Sequence, residues 1–403
     1  MSKLKSRLFN GALALMMMLA MLVTVGTTTV SAADEEVFDG NPTITKEIKK
    51  DAGTTTPDID IVYTITKKGF NASSEIAYLP NIGSVTLGFD ENSDVTDNGD
   101  STLTVTETGT IVLPAIGSGG FERAGEYIYT IKETESSISS DHDSMTASGV
   151  EYEMHVYVIN DNGLKSAGVA VYKVKDDTGA TITPVKIEGG ETESTIPFSA
   201  VYRKIAGSEN ATADANGYTS FSVGKTVTGD LGDVDQEFEF TLNFKSSPLH
   251  TATGTYTYIV KEGSTVVSTD SFTLGGASTT AQIVVDLKHG QEVVVKDVPT
   301  GTTFYGVETG FGSYTPAAVV TSNGSSATFD GTKGANMNIS SDGTADYTTL
   351  LGENANGATV TNDYKSTSIT GIFLDNLPFI ILIAVGVAGF GFYAVNRKRN
   401  AVR

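Results

Sequence analysis

The stretch "EYEMHVYVI", Glu151 to Ile159, places Tyr152, Met154, Val156 and Val158 at every second position, with polar or charged residues between several of them. Successive side chains of an extended strand point to opposite faces, so this spacing reads as a strand with one face turned to a core. The same alternation returns in "IDIVYTIT", "YIYTIKET", "GVAVYKVK", "EFEFTLNF", "GTYTYIV" and "EVVVKDV", and no segment between residues 34 and 365 has a clean helical period. Turn clusters such as "DNG", "SNG" and "EGG" separate the runs. The sequence therefore predicts an all-β chain of two tandem Ig-like β-sandwich domains.

Composition narrows the function. The chain has 403 residues, a formal charge of -21 and no cysteine. Carboxylates outnumber the lysines and arginines that would neutralise phosphates, which excludes nucleic acid as a partner. Without cysteine there are no disulfides and no thiolate chemistry, so a secreted chain must gain rigidity in another way. The four histidines, His142, His155, His250 and His289, have no metal-ligand spacing, and neither G-x-S-x-G nor H-E-x-x-H occurs. No metal, cofactor or enzymatic turnover is expected. "GKT" at 224 to 226 lacks the upstream glycine of a phosphate-binding loop.

Both ends carry addresses. Lys3, Lys5 and Arg7 precede an apolar run and the small residues Ser31, Ala32 and Ala33, the pattern of a secretory signal over residues 1–33. Near the other end, Phe379 to Val395 is free of charge and is followed by Arg397, Lys398 and Arg399. That run is long enough to span a bilayer, with its basic flank on the cytoplasmic side. Between the ends, the polar segment 205–219 reads as a linker, dividing a first domain, 34–204, from a second, 220–365.

The two halves repeat one another. Each opens on apolar-x-Lys-x-apolar, with Lys46 in "ITKEI" and Lys225 in "VGKTV". Each later has a strand ending in glutamate four residues after an aromatic, Tyr129 to Glu133 and Phe304 to Glu308. Each closes on apolar-x-x-x-Tyr, Phe198 to Tyr202 and Val360 to Tyr364. Order and spacing both recur, which marks a tandem duplication.

Alternation puts each opening lysine on the face of its apolar neighbours. A buried ammonium is costly, so it must be paired, neutralised or consumed. In the second half, Glu308 and Asn362 occupy the other recurring positions. Desolvation lowers a lysine pKa and raises a glutamate pKa, so a shared proton can leave a neutral amine beside a neutral acid. The amine is then a nucleophile towards the Asn362 carboxamide, and the product is an internal amide.

At these residues both halves resemble the pilin isopeptide-linkage domain of Gram-positive major pilins, over residues 40 to 364: an early lysine strand ("KTVTG", from Lys225), a late glutamate strand, and a final "N-x-Y" strand ("NDY", from Asn362). The resemblance implies a Lys225–Asn362 isopeptide bond with Glu308 as its catalytic acid, and by position Lys46 and Glu133 in the first half. There Ala200 stands where the second half has Asn362, so this bond cannot form. The first domain is then unlinked, or another Asn or Asp approaches Lys46, or Lys49 is the inward lysine.

Residues 366–403 resemble a sortase sorting signal. "TSITG", Thr367 to Gly371, lies where the recognition pentapeptide would be, although the usual Leu-Pro is missing. The resemblance implies cleavage between Thr370 and Gly371 and transfer of the Thr370 carboxyl to an amine. It also implies sortase, identical subunits and cell-wall peptidoglycan as partners, with host surface ligands in addition. Lys173 in "VAVYKVK" and then Lys186 are the candidate acceptor lysines for polymerisation. "DVPTG", Asp297 to Gly301, has no membrane span after it and reads as a turn. The expected function is a pilus shaft subunit, displayed on the cell surface from a membrane-anchored precursor. The competing reading is an adhesin displayed singly on wall or membrane.

Overall fold

The structure is a computed structural model, and it describes residues 40–134, 136–187, 195–211, 213–365, 381–383 and 385. The expected signal segment, most of the apolar run from Phe379 to Val395, and Thr370 and Gly371 lie outside the described residues. Among the described residues, no helix is long and apolar enough to cross a membrane.

Every alternating run quoted above lies in a strand, and the strands build two sandwiches. In the first, the opening strand Thr43–Asp51 lies antiparallel to Thr102–Thr110 and parallel to the closing strand Thr195–Lys204, within a six-stranded sheet. The facing six-stranded sheet contains Ile59–Phe70, Gly125–Thr134, Glu151–Asn160 and Leu164–Lys175. In the second sandwich, the opening strand Thr219–Thr228 lies antiparallel to Gln291–Lys296 and parallel to the closing strand Gly357–Asp363, in a seven-stranded sheet. Its partner sheet centres on Phe238–Lys245 and the glutamate strand Thr303–Glu308. First and last strands of each half thus lie side by side in parallel, a pairing that needs a long connection between them.

Each sandwich closes on its own core. The first packs Ile44, Ile48, Tyr63, Tyr129, Tyr152 and Phe198, with the Tyr63 and Phe198 rings 4.6 Å apart. The second is built on phenylalanines, Phe221 and Phe304 having ring centroids 4.1 Å apart. Full burial of such a side chain is worth about 1.5–3 kcal/mol, so these faces fix which side of each strand points inward. The inward lysines are carried there by their neighbours.

The segment expected as a linker is packed on the second sandwich. Ala206 is fully buried in the second core, and the Lys296 ammonium holds Asp214 at 2.7 Å and the Thr219 hydroxyl at 3.0 Å. Charged groups also cross between the sandwiches. The buried Asp51 carboxylate accepts hydrogen bonds from the Ser247 hydroxyl and from His250 Nε2, the latter at 2.9 Å. Buried Glu353 accepts from Thr55 N at 3.1 Å and from Lys204 Nζ at 3.0 Å. The "DVPTG" turn lies in this junction, where Gly301 has φ 76° and an added Cβ would sit 2.4 Å from Asp51 Oδ1. Glycine is required there both for its backbone and for the close approach.

Candidate functional site

Register explains how the second-half residues meet. In the parallel pair, Lys225 lies opposite Val360 and Val227 opposite Asn362. The buried positions of the opening strand are Val223, Lys225 and Val227, and those of the closing strand are Ala358, Val360 and Asn362. Lysine and asparagine therefore project from adjacent strands on one inner face. Glu308 comes from the opposite sheet, where Phe304, Gly306 and Glu308 point inward.

The three side chains converge in the dry core. Lys225 Nζ lies 2.5 Å from Glu308 Oε1, and Asn362 Nδ2 donates to the same oxygen at 3.0 Å. The side chains of the lysine and glutamate are 0% and 2% exposed. The ammonium nitrogen also sits 4.1 Å from the centroid of Phe238 and 5.8 Å from that of Phe240. Desolvation dominates the electrostatics. Burial pushes the Lys225 amine down to about 8 against the opposing pull of the Glu308 charge. Burial likewise raises the Glu308 carboxyl, offset in part by Lys225 and then by the Asn362 hydrogen bond. Both displacements favour the neutral forms, an amine beside a carboxylic acid.

Asn362 Oδ1 is buried without a hydrogen-bond partner. An unsatisfied carbonyl oxygen here costs about 1–3 kcal/mol. Carboxamide orientation follows the proton: a carboxylate takes the N–H, whereas a protonated Glu308 would turn the amide over and donate to Oδ1. The second arrangement satisfies the oxygen and draws electron density away from the carbon beside the amine.

The first sandwich has the same frame with different contents. Lys46 lies opposite Phe198 and Ile48 opposite Ala200, so Ala200 occupies the register position of Asn362. Lys46 is fully buried and Lys49 is exposed, which settles the choice of inward lysine for Lys46. Lys46 Nζ donates to Glu133 Oε2 at 2.7 Å, both side chains being 0% exposed. Glu133 Oε1 accepts from the Ser136 hydroxyl and from Ser148 N at 3.2 Å. Among the described residues, no asparagine or aspartate is hydrogen-bonded to Lys46. Tyr63 lies opposite Glu133 where Phe240 lies opposite Glu308. Its phenol pKa is raised by burial and then by the Glu133 charge. The Ser136 hydroxyl, Ser148 N and Lys46 all donate to Glu133, so this site is a buried ion pair without a carboxamide, and burial lowers the Lys46 amine against the opposing pull of Glu133.

The repeat frame therefore predicts a gain of chemistry. The double variant Ala200→Asn, Tyr63→Phe recreates the second-half set around Lys46, and intact-mass measurement should find one more ammonia lost than from the parent chain. An unchanged mass would show that register and residue type are insufficient.

Lys173 lies in the strand Leu164–Lys175, half-buried, with Asp177 3.6 Å from its nitrogen. Lys186 ends the strand Thr181–Lys186 and is exposed. Lys186 is on the edge strand of its sheet, and Lys173 is on the strand beside it, opposite Val185. The junction groups Asp51, Lys204, His250 and Glu353 were not singled out by sequence reasoning. Lys204 continues the inward series Ala200, Tyr202, Lys204, so alternation alone could have flagged it. The carboxylates between Asp90 and Asp100 cap their own turns, as Asp90 Oδ1 does for Asn92 N at 2.7 Å.

A family model described as a domain of unknown function, DUF7601, matches residues 219–372, the part of the chain that holds the triad. No curated protein matches the sequence. Among solved structures, the chain is similar to the major pilin from Streptococcus pyogenes, at 16% identity over 81% of this chain and 99% of that one, with a TM-score of 0.34. The T-13 major pilin of the same species is 18% identical over 81% and 98%, with a TM-score of 0.31. A pilus-presented adhesin is 10% identical over 81% and 100%, with a TM-score of 0.27. At these identities and scores, functional assignment has to come from the chemistry of the chain's own residues.

Proposed function

We propose that this chain is a structural pilus shaft subunit, exported, hardened by an autocatalytic Lys225–Asn362 isopeptide bond, and polymerised and anchored to the cell wall by sortase. The observation that carries this reading is the buried contact of Lys225, Glu308 and Asn362. A neutral Lys225 amine attacks Asn362 Cγ while protonated Glu308 donates to Oδ1. Glu308 then accepts the proton that the new amide nitrogen sheds and passes it to the departing nitrogen. The Cγ–Nδ2 bond breaks, and one ammonia leaves for each amide formed. Proximity comes from folding, because opening and closing strands meet only in the finished sandwich.

A bond between the first and last strands of a domain suits a protein under tension. Pulling on the two ends loads those strands directly, and a covalent link carries that load past the backbone hydrogen bonds. In this reading Thr370 gives its carboxyl to a lysine of the next subunit, with Lys173 or Lys186 as acceptor, and the segment from Phe379 to Val395 holds the precursor in the membrane until transfer.

Mass spectrometry of residues 34–365 tests the cross-link: the chain should be lighter than its sequence by one ammonia, and tryptic digestion should yield a branched peptide joining Lys225 to Asn362. Full sequence mass would remove the cross-link. Polymerisation is tested separately on cell-wall extracts, where a shaft subunit gives a ladder that survives heat and detergent. A single band would indicate the singly displayed adhesin instead.

A further inference from the structure

Between the two sandwiches lies an open cleft of about 530 Å³ that plays no part in the cross-link. Its floor is the outer face of the first sandwich, where Glu47 lies opposite Thr106 and Lys49 opposite Thr104. Its wall is the turn of the second sandwich that carries Pro248 and Leu249. We infer that this cleft binds a neutral, hydroxyl-rich saccharide.

Three features lead there. The wall is apolar and the floor is polar, which suits a pyranose, whose ring has C–H faces and a rim of hydroxyls. Pro248 and Leu249 would take the C–H face, leaving the hydroxyls to the floor. Next, two charged side chains of the floor have free hydrogen-bonding capacity, while Asn98, Asp100, Thr102 and Thr104 are bonded among themselves. Glu47 and Lys49 are exposed, and neither has a hydrogen-bond or ion-pair partner among the described residues. A carboxylate acceptor and an ammonium donor on one face can share vicinal hydroxyls between them. Finally, the wall is held in place. Ser247 and His250, on either side of Pro248 and Leu249, are both tied to buried Asp51, and Arg203 Nη2 donates to the Leu249 carbonyl at 3.3 Å. A cleft fixed in advance loses little entropy on binding.

Charge selects the ligand class. The chain carries -21 overall, which repels anionic glycans. Within the cleft, Glu47 and Asp100 outweigh Lys49, so no net positive charge awaits an acid. The volume falls within the range of about 300–1,000 Å³ typical of small-molecule sites and is large enough for two sugar rings. No aromatic ring lines the cleft, so affinity belongs in the millimolar range of hydroxyl contacts and aliphatic stacking.

The test uses the ¹⁵N-labelled two-sandwich body, residues 34–365, whose two cores are complete within it. It is titrated with neutral di- and trisaccharides built from glucose, galactose, mannose and N-acetylhexosamines, and with sialyllactose as the anionic control. At least one neutral probe should shift the amides of Lys49, Thr104, Thr106 and Leu249. Thr106→Arg, which fills the cleft from an exposed strand position, should weaken that binding at least about tenfold. The inference is overturned if no neutral probe moves these amides at its solubility limit, if sialyllactose moves them most, or if Thr106→Arg leaves the shifts unchanged. None of these results depends on whether Lys225 and Asn362 are joined.

Discussion

The Glu308→Ala chain should keep its full sequence mass and unfold about 10–20 °C below the parent. The proposed amide would join residues about 140 positions apart, and closing a loop of that size removes about 5 kcal/mol of unfolded-state entropy by the relation used for disulfides. For a domain of this length, each kcal/mol moves the midpoint by about 2–4 °C. Alanine at 308 adds a second loss, because the Lys225 ammonium is left in the core with only the Phe238 and Phe240 rings beside it. Asn362→Ala separates the two losses. It also prevents the amide but preserves the Lys225–Glu308 pair, so its midpoint should fall between parent and Glu308→Ala. Calorimetry read beside intact mass decides the matter. A Glu308→Ala chain still lighter by one ammonia would show that the acid is not required.

Lys46→Met should destabilise the first sandwich by about 3–5 kcal/mol, the usual consequence of stranding one member of a buried ion pair. Glu133 would keep its Ser136 and Ser148 donors but lose its cation in a site with no solvent. Adding Glu133→Gln should recover most of the loss, since the amide carbonyl still accepts from both serines and no charge remains buried. Urea unfolding followed by hydrogen exchange at the amides of Tyr63, Tyr127, Tyr129 and Tyr152 reports on this half, whose core holds all four. Equal stability of parent and Lys46→Met would mean the pair contributes nothing, and failure of the double variant to recover would locate the loss in packing.

The contrast between the halves is chemical. Both bury a lysine against a glutamate from the opposing sheet, yet only the second places a carboxamide at the neighbouring register position. Ala200 removes the electrophile, and Glu133 accepts additional hydrogen bonds from the Ser136 hydroxyl and Ser148 N. Among the described residues, the lysine and the asparagine are the hydrogen-bond partners of the glutamate in the second site, and burial raises its pKa. Reaction is thus expected where acid and amine are both driven neutral beside an amide.

Much of this was legible from residue order. Alternation identified the strands, put Lys46 and Lys225 on the faces of their apolar neighbours, and placed Asn362 on the same face as Val360, because period-two geometry is local and needs no partner strand; burial in the fold chose Lys46 over Lys49. The duplicated spacing aligned Ala200 with Asn362. Other features were out of reach of that signal. The hydrogen-bonding of Glu133 to Ser148 N, the Tyr63 phenol beside it, and the Asp51, Ser247 and His250 contact all join positions whose approach depends on how loops close. A buried aspartate at the end of a strand looks like any turn residue until the second sandwich arrives to cover it.

Sequence alone determined the class of fold, the inward direction of Lys225 and the lack of a carboxamide at position 200, since these follow from side-chain period and residue identity. Tertiary structure decided the parallel pairing of first and last strands, the approach of Glu308 from the opposite sheet, and the junction that walls the cleft. Those depend on contacts between residues far apart in the chain, whose energies are paid only when both sheets and both domains have come together.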